Sequence, residues 1–187
     1  MNLILFGPPG AGKGTQAKYL VKKLKNFQVS TGDMLRDEIQ KNSEIGKKIL
    51  DDMSNGKFVD DTIVNKLIEN ILLDPNKKDR LIFDGYPRSL SQAKNLEHLL
   101  IKTDQKIDFI FFLNVSKETI IKRIEQRKII EKRSDDDLKT FIKRYDTYMA
   151  TTKPVLDFYS KNPKFYFYPI FHLKNLFCRI FWAFFLL

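Results

Sequence analysis

The run Gly7-Pro8-Pro9-Gly10-Ala11-Gly12-Lys13-Gly14-Thr15 meets the spacing G-x-x-x-x-G-K through Gly7, Gly12 and Lys13. Glycines let a chain turn tightly enough for successive backbone N–H groups to point at phosphate oxygens. A helix starting here adds its positive N-terminal end, and Lys13 adds a cation that can follow the outer phosphates of a nucleotide. Position 14 is glycine where the general pattern has serine or threonine, so the hydroxyl that can reach magnesium arrives one place later, at Thr15. Such a site also calls for a carboxylate at the end of a strand. Leu81-Ile82-Phe83-Asp84 supplies one. A glycine-rich turn without phosphate is the plain alternative for the loop, and aspartates end many strands. The two together point to a polyphosphate and Mg2+.

More cations are spaced to converge. Arg123 and Arg127 lie four apart and share a helix face. Arg133 and Arg144 follow. Four converging arginines repel one another unless a polyanion sits among them, and fixed cations lower the barrier where charge builds on transferring oxygens. A basic, solvated helix is the alternative, most clearly for Arg123. Two further segments carry polar groups at close spacing, Ser30-Thr31-Gly32-Asp33-Met34-Leu35-Arg36 and Asp84-Gly85-Tyr86-Pro87-Arg88-Ser89-Leu90-Ser91-Gln92-Ala93. Taken singly, Thr31, Arg36 and Gln92 read as well as a cap, a surface cation and a solvated amide.

The elements that must hold these residues can be read from periodicity. Short apolar runs predict strands at Leu3 to Phe6, Phe27 to Ser30, Arg80 to Phe83 and Ile107 to Val115, the last of them central. Amphipathic spacing predicts helices over Thr15 to Leu24, Gly32 to Met53, Asp61 to Leu72, Ser91 to Leu100, Lys117 to Arg127 and Asp135 to Tyr159. Ser54-Asn55-Gly56 is a breaker between two of them. Strands alternating with helices through short loops predict an α/β fold, a parallel β-sheet wrapped by α-helices. There is no internal repeat and no low-complexity linker.

The 187 residues suffice for one well-buried domain. A formal charge of +10 favours polyanionic partners or a lysine-rich solvated surface. The single cysteine, Cys178, excludes an intramolecular disulfide and a four-cysteine zinc site, and fits a reducing cytoplasm. Met1 to Phe6 has no basic segment and no small-residue cleavage site, so it is expected to be a buried strand and not a signal peptide.

Over residues 1 to about 160 the chain resembles the adenylate kinases, through the loop variant G-x-P-G-x-G-K-G-T and the segments around Arg36 and Arg88. The resemblance implies a P-loop NTPase fold as a single kinase domain over 1–187. An inserted helical NMP-binding segment would span 30–60, and a short lid 127–137. It implies reversible phosphoryl transfer from Mg-ATP to AMP. Gly10, Ala11, Gly12, Lys13, Gly14, Thr15, Arg123 and Arg127 would then bind ATP, with Arg123 packed on its base. Thr31, Arg36, Val59, Gly85, Arg88, Gln92, Arg133 and Arg144 would bind AMP. Arg36 and Arg88 would grip its phosphate through planar forks, and Gln92 would read the adenine edge. Lys13, Arg88, Arg127, Arg133 and Arg144 are the expected catalytic groups. Thr15 and Asp84 are the expected magnesium holders, partly through water. The segment Gly56-Lys57-Phe58-Val59 would close over the adenine; the family has proline next, where this chain has Asp60. Asp135 and Asp136 would orient arginines or start a helix. No histidine is needed, so His98 and His172 are read as structural or surface residues. Small-molecule nucleotides are the expected partners of a monomer, with no nucleic acid.

The family pattern breaks at the tail. From Phe165 onward there are ten aromatic residues and no acid, Asp157 being the last. Lys164 to Phe167 can be the family's final strand, but the Asp/Asn-Gly turn expected after it is missing, and the helix beyond would be apolar nearly all round. Residues 165–187 can be a strand and core helix, an interfacial membrane anchor, or a stretch read in the wrong frame. Their apolar part, Leu176 to Leu187, is interrupted by Arg179 and is far shorter than the roughly 20 residues that a membrane span needs. A UMP/CMP kinase of the same fold and a non-catalytic nucleotide-binding protein are the competing functions. The first tends to carry alanine at the Thr31 position and asparagine near Gln92, and this chain has neither.

Overall fold

Leu3-Ile4-Leu5-Phe6 carries no polar side chain because both of its faces are covered. It forms β1 (Leu3–Phe6), with all four residues buried. The computed structural model describes residues 1–55, 57, 59–131 and 137–169. Around β1 lie β2 (Phe27–Ser30), β3 (Leu81–Asp84), β4 (Phe109–Asn114) and β5 (Phe165–Pro169). The order is β2-β3-β1-β4-β5, and every pair is parallel. Parallel strands covered on both faces read as continuous apolar runs rather than alternating ones.

The helices are α1 (Lys13–Leu24), α2 (Thr31–Gln40), α3 (Glu44–Ser54), α4 (Asp61–Leu72), α5 (Leu90–Lys102), α6 (Lys117–Glu131), α7 (Leu138–Thr147) and α8 (Lys153–Ser160). Successive strand residues point to opposite faces, so β1 feeds two cores. Leu3 and Leu5 join Ile82, Phe111 and Leu113 under α1, α6 and α7. Ile4 and Phe6 join Phe83, Leu81 and Ile110 under α2 to α5 and α8. The strands' carboxyl ends stay open between these layers. Open α/β sheets bind ligands there.

Several boundaries differ from the sequence reading, each for a local reason. The single helix expected over Gly32 to Met53 is two. Asn42 takes the left-handed conformation at φ 51, and Ser43 then caps α3 by accepting from Gly46 N at 2.9 Å. The helix expected over Asp135 to Tyr159 starts after Asp137, whose carboxylate accepts from Thr140 N at 2.9 Å. It then passes through a π-helical turn at Tyr148–Thr152 before α8, so one continuous helix becomes three segments. Helix α6 runs four residues beyond Arg127, which makes the first part of the expected lid helical. Asp60, in place of the family's proline, caps α4 by accepting from Thr62 N at 2.8 Å. The expected final strand is present as β5, in register with β4. Gly56, Phe58, Arg133, Asp135, Asp136, His172, Cys178 and the tail beyond Pro169 lie outside the described residues.

Candidate active site

Three loops leave the carboxyl ends of β1, β3 and β2 side by side. The register explains their convergence, since Leu5 pairs with Asp84 and Ser30 pairs with Asp84 from the other side. The β1 loop turns on Gly12, the N-cap of α1, at φ 95, which only glycine adopts without strain. Its Ala11 N donates to Pro8 O at 3.1 Å. Lys13 folds back over the loop, and its Nζ donates to Gly7 O at 2.7 Å and Pro8 O at 3.1 Å. The open N-terminus of α1 therefore faces the same space as an ammonium group. Burial lowers the Lys13 ammonium to about 8; Asp84 opposes that shift, while Arg88, Arg144 and Arg127 reinforce it.

Asp84 ends β3 and is buried, at 8% exposure. Burial raises its pKa, against Lys13 and a hydrogen bond from Gln28 Nε2 at 2.9 Å. Gln28 lies on the neighbouring strand β2, and no motif in the sequence marked it. A buried carboxylate of this kind suits a cation. Among the described residues no group of three or more His, Cys, Asp or Glu side chains could hold a metal alone. One carboxylate and the exposed hydroxyl of Thr15 fit a hard cation such as Mg2+ that arrives with its own phosphate and water ligands.

Arg88 is the hub of the opposite wall. Its Nε donates to Gly85 O at 2.6 Å, and one terminal nitrogen donates to Thr31 Oγ1 at 3.3 Å. Thr31 in turn donates to Gly85 O at 3.0 Å. Gly85, at φ 78, leaves room for the guanidinium, since a Cβ there would stand 3.0 Å from it. Burial lowers Arg88 to about 10, with Arg144 and Arg36 adding to the shift and Asp84 opposing it. Arg36 pairs with Asp33 one turn away on α2.

These residues border one cleft of about 450 Å³. Gly10, Gly12, Lys13, Gly14 and Thr15 line it with Asp84, and so do Arg36, Gly85, Arg88, Arg123, Arg127 and Arg144. Arg123 also donates to Ala11 O at 3.0 Å, which ties α6 to the loop. Ala11 is buried beneath the loop. The expected base readers stand back from the cleft: Thr31, Gln92 and Val59 are buried behind its wall. Gln92 has its amide engaged with Arg88 N at 2.7 Å and Asp61 Oδ1 at 2.5 Å. Asp61 is another residue that motif spacing missed; an acid in the first turn of a helix carries no signal beyond helix capping. Arg133 lies outside the described residues, and His98 is exposed on α5, away from the cleft. Among the described residues no helix is long and apolar enough to cross a membrane.

Comparison with known proteins bears on the family of the chain. The family model for adenylate kinase matches residues 5–164. An adenylate kinase of Pelagibacter ubique is 49% identical, with 88% of this chain and 90% of the relative covered. One from Mycoplasma mycoides is 41% identical over 88% of this chain and 89% of its own length. One from a Caulobacter strain is 44% identical over 88% and 87%.

Proposed function

The chain belongs to the adenylate kinase family, and we propose that the cleft between the Lys13 loop and the Arg88 wall is where it moves a phosphoryl group from Mg-ATP to AMP. It is a nucleoside monophosphate kinase, a phosphotransferase acting on small nucleotides. One observation carries the assignment of the site. Lys13, Thr15, Asp84 and five arginines from four separate segments border a single cavity. A cavity with that much positive charge attracts a polyphosphate.

In this reading the Lys13 loop and the N-terminus of α1 hold the donor phosphates, and Arg123 and Arg127 on α6 approach from above. Arg36 and Arg88 hold the acceptor phosphate, with Arg144 between the two groups. Arg133, which lies outside the described residues, is assigned to the same group of phosphate-binding cations, with 127–137 as a short lid, on the family resemblance alone. Thr31, Val59, Gly85 and Gln92 form the base subsite, backed by the helical segment over 30–60. Magnesium, held by Asp84 and Thr15 with phosphate oxygens and water, would neutralise charge on the outer phosphates. The attacking group is an ionised phosphate oxygen, so the chain supplies no general base. Its work is to align two anions in line and to stabilise charge on the transferred group's equatorial oxygens.

No residue from a second copy is required, and a monomer is proposed. The single cysteine supports a reducing compartment such as the cytoplasm. The test is ADP formation by purified protein from ATP, AMP and magnesium, with UMP and CMP as competing acceptors. Efficient turnover confined to AMP is expected. Turnover of UMP or CMP at the AMP rate would overturn the acceptor assignment.

A further inference from the structure

The side-chain amide of Gln92 sits between a group that only donates and a group that only accepts. Arg88 N donates to its Oε1 at 2.7 Å, and its Nε2 donates to Asp61 Oδ1 at 2.5 Å. A peptide N–H cannot accept and a carboxylate cannot donate, so the pair dictates which end of the amide is oxygen. Turning the amide over would set N–H against N–H and oxygen against oxygen. Gln92 is 3% exposed, so water could not relieve the mismatch. Asp61 is itself held: its Oδ2 accepts from Ser89 Oγ at 2.8 Å, and that same hydroxyl accepts from Gln92 N at 3.1 Å as the N-cap of α5. The starts of α4 and α5 are thus joined through one carboxylate.

We propose that Asp61 is a positioning residue for base selection, fixing the Gln92 amide in the one orientation that suits adenine and excludes 6-oxopurines. This rests on the reading of Gln92 as the residue that faces the acceptor base. With one lone pair and one N–H committed to the protein, the amide keeps one lone pair and one N–H for a ligand. Adenine offers an exocyclic amine that donates and a ring nitrogen that accepts. A 6-oxopurine offers the reverse, a carbonyl that accepts and a ring N–H that donates. An amide able to turn over could read both; an amide pinned by Asp61 reads one. The wrong base would leave buried polar groups without partners, and sites that hydrogen-bond their substrate discriminate strongly for that reason.

The experiment compares AMP with inosine monophosphate, which differs from it only along this edge, at saturating Mg-ATP with the full chain. Asp61→Ala removes the fixed acceptor. Its kcat/KM for inosine monophosphate should rise in absolute terms, and its preference for AMP should fall by about tenfold or more. The change should lie in the acceptor KM, with the KM for ATP unmoved. Asp61→Ser keeps a polar helix start but can donate or accept, so it should move the same way and guards against a misfolded alanine variant. Asp61→Asn should relax the preference as well, because its amide, like the serine hydroxyl, can donate or accept and so no longer excludes the turned Gln92. A parallel fall for both acceptors in the Ala and Ser variants would make Asp61 a merely structural residue and overturn the inference. Gln92→Ala separates the two levels. If it leaves the AMP preference at the wild-type value, the base-reading role is wrong and the inference falls with it. If it relaxes the preference while the Asp61 variants do not, the inference alone is wrong.

Discussion

A Cβ placed on Gly14 would stand 3.3 Å from Asp84 Oδ2. Gly14 lies in the first turn of α1, where the backbone suits any residue, so space rather than conformation selects glycine there. This gives a spatial reason for the loop's departure from the general pattern at position 14. Gly14→Ala should push the carboxylate by a few tenths of an ångström. Removing glycine from a helix stabilises by roughly 0.5–1 kcal/mol, so Tm should hold or rise while turnover falls and the magnesium needed for half-maximal rate increases. Wild-type turnover with an unchanged magnesium requirement would rule out Asp84 as a magnesium holder.

Lys13→Ala removes an ammonium group that bridges the loop carbonyls and the cleft. It carries no core packing. Transfer should drop by about 100-fold or more, with little change in the melting curve. Near-wild-type turnover would displace the donor site from this loop.

Gly46 packs α3 against the end of α2 with no room to spare. A Cβ there would lie 2.2 Å from Glu38 O. Backbone atoms cannot rotate away, and overpacking of this kind typically costs about 1–3 kcal/mol. Gly46→Ala should lower Tm and displace the α2 segment that carries Arg36. The KM for AMP should rise and the KM for ATP should stay put. Equal changes in both constants would show that this helical pair does not serve the acceptor alone.

Asp137 caps α7, the helix that carries Arg144, and hydrogen bonds from Thr140 lower its pKa below the ordinary value of 3.8. A carboxyl depressed in the folded state contributes stability above the unfolded pKa and loses it as pH falls through the folded one. Asp137→Ala should therefore lower Tm by roughly 2–4 °C at neutral pH. The gap from wild type should narrow only as pH drops below about 3.8. A gap that closes between pH 5 and 8 would point to a different group.

Arg36, Arg88, Arg127 and Arg144 face one cavity across which like charges repel. Bound anions reverse that force, so the substrates themselves should draw the walls together. Closure also excludes water that would hydrolyse ATP. A mimic of two adenosines joined by a phosphate chain should bind far more tightly than ATP or AMP alone, because one molecule spans both sites. Hydrogen exchange should slow in residues 31–59 and 127–137 together. Protection confined to the phosphate loop would argue against two-sided closure.

Much of this site is visible in the linear chain because its signals are local. The glycine loop and Lys13 lie within nine residues of one another. Asp84 sits at the end of an apolar run, and Arg123 and Arg127 share a face by helical repeat alone. The chain also announced its parallel sheet, since runs such as Leu3 to Phe6 without a polar residue need cover on both faces. What the tertiary structure alone decided are the partners of side chains far apart in sequence. Gln28 steadies Asp84 because β2 and β3 align Ser30 with Asp84, across 56 residues for the bonded pair. Asp61 meets Gln92 because two helix starts abut, 31 residues apart. The break at Asn42 and the π-helical turn at Tyr148–Thr152 were equally hidden, for helical periodicity runs through both. Spacing along a chain fixes which groups share a turn or a face. Which distant donor meets which acceptor depends on strand register and helix docking, and those are set by the packing of the whole core.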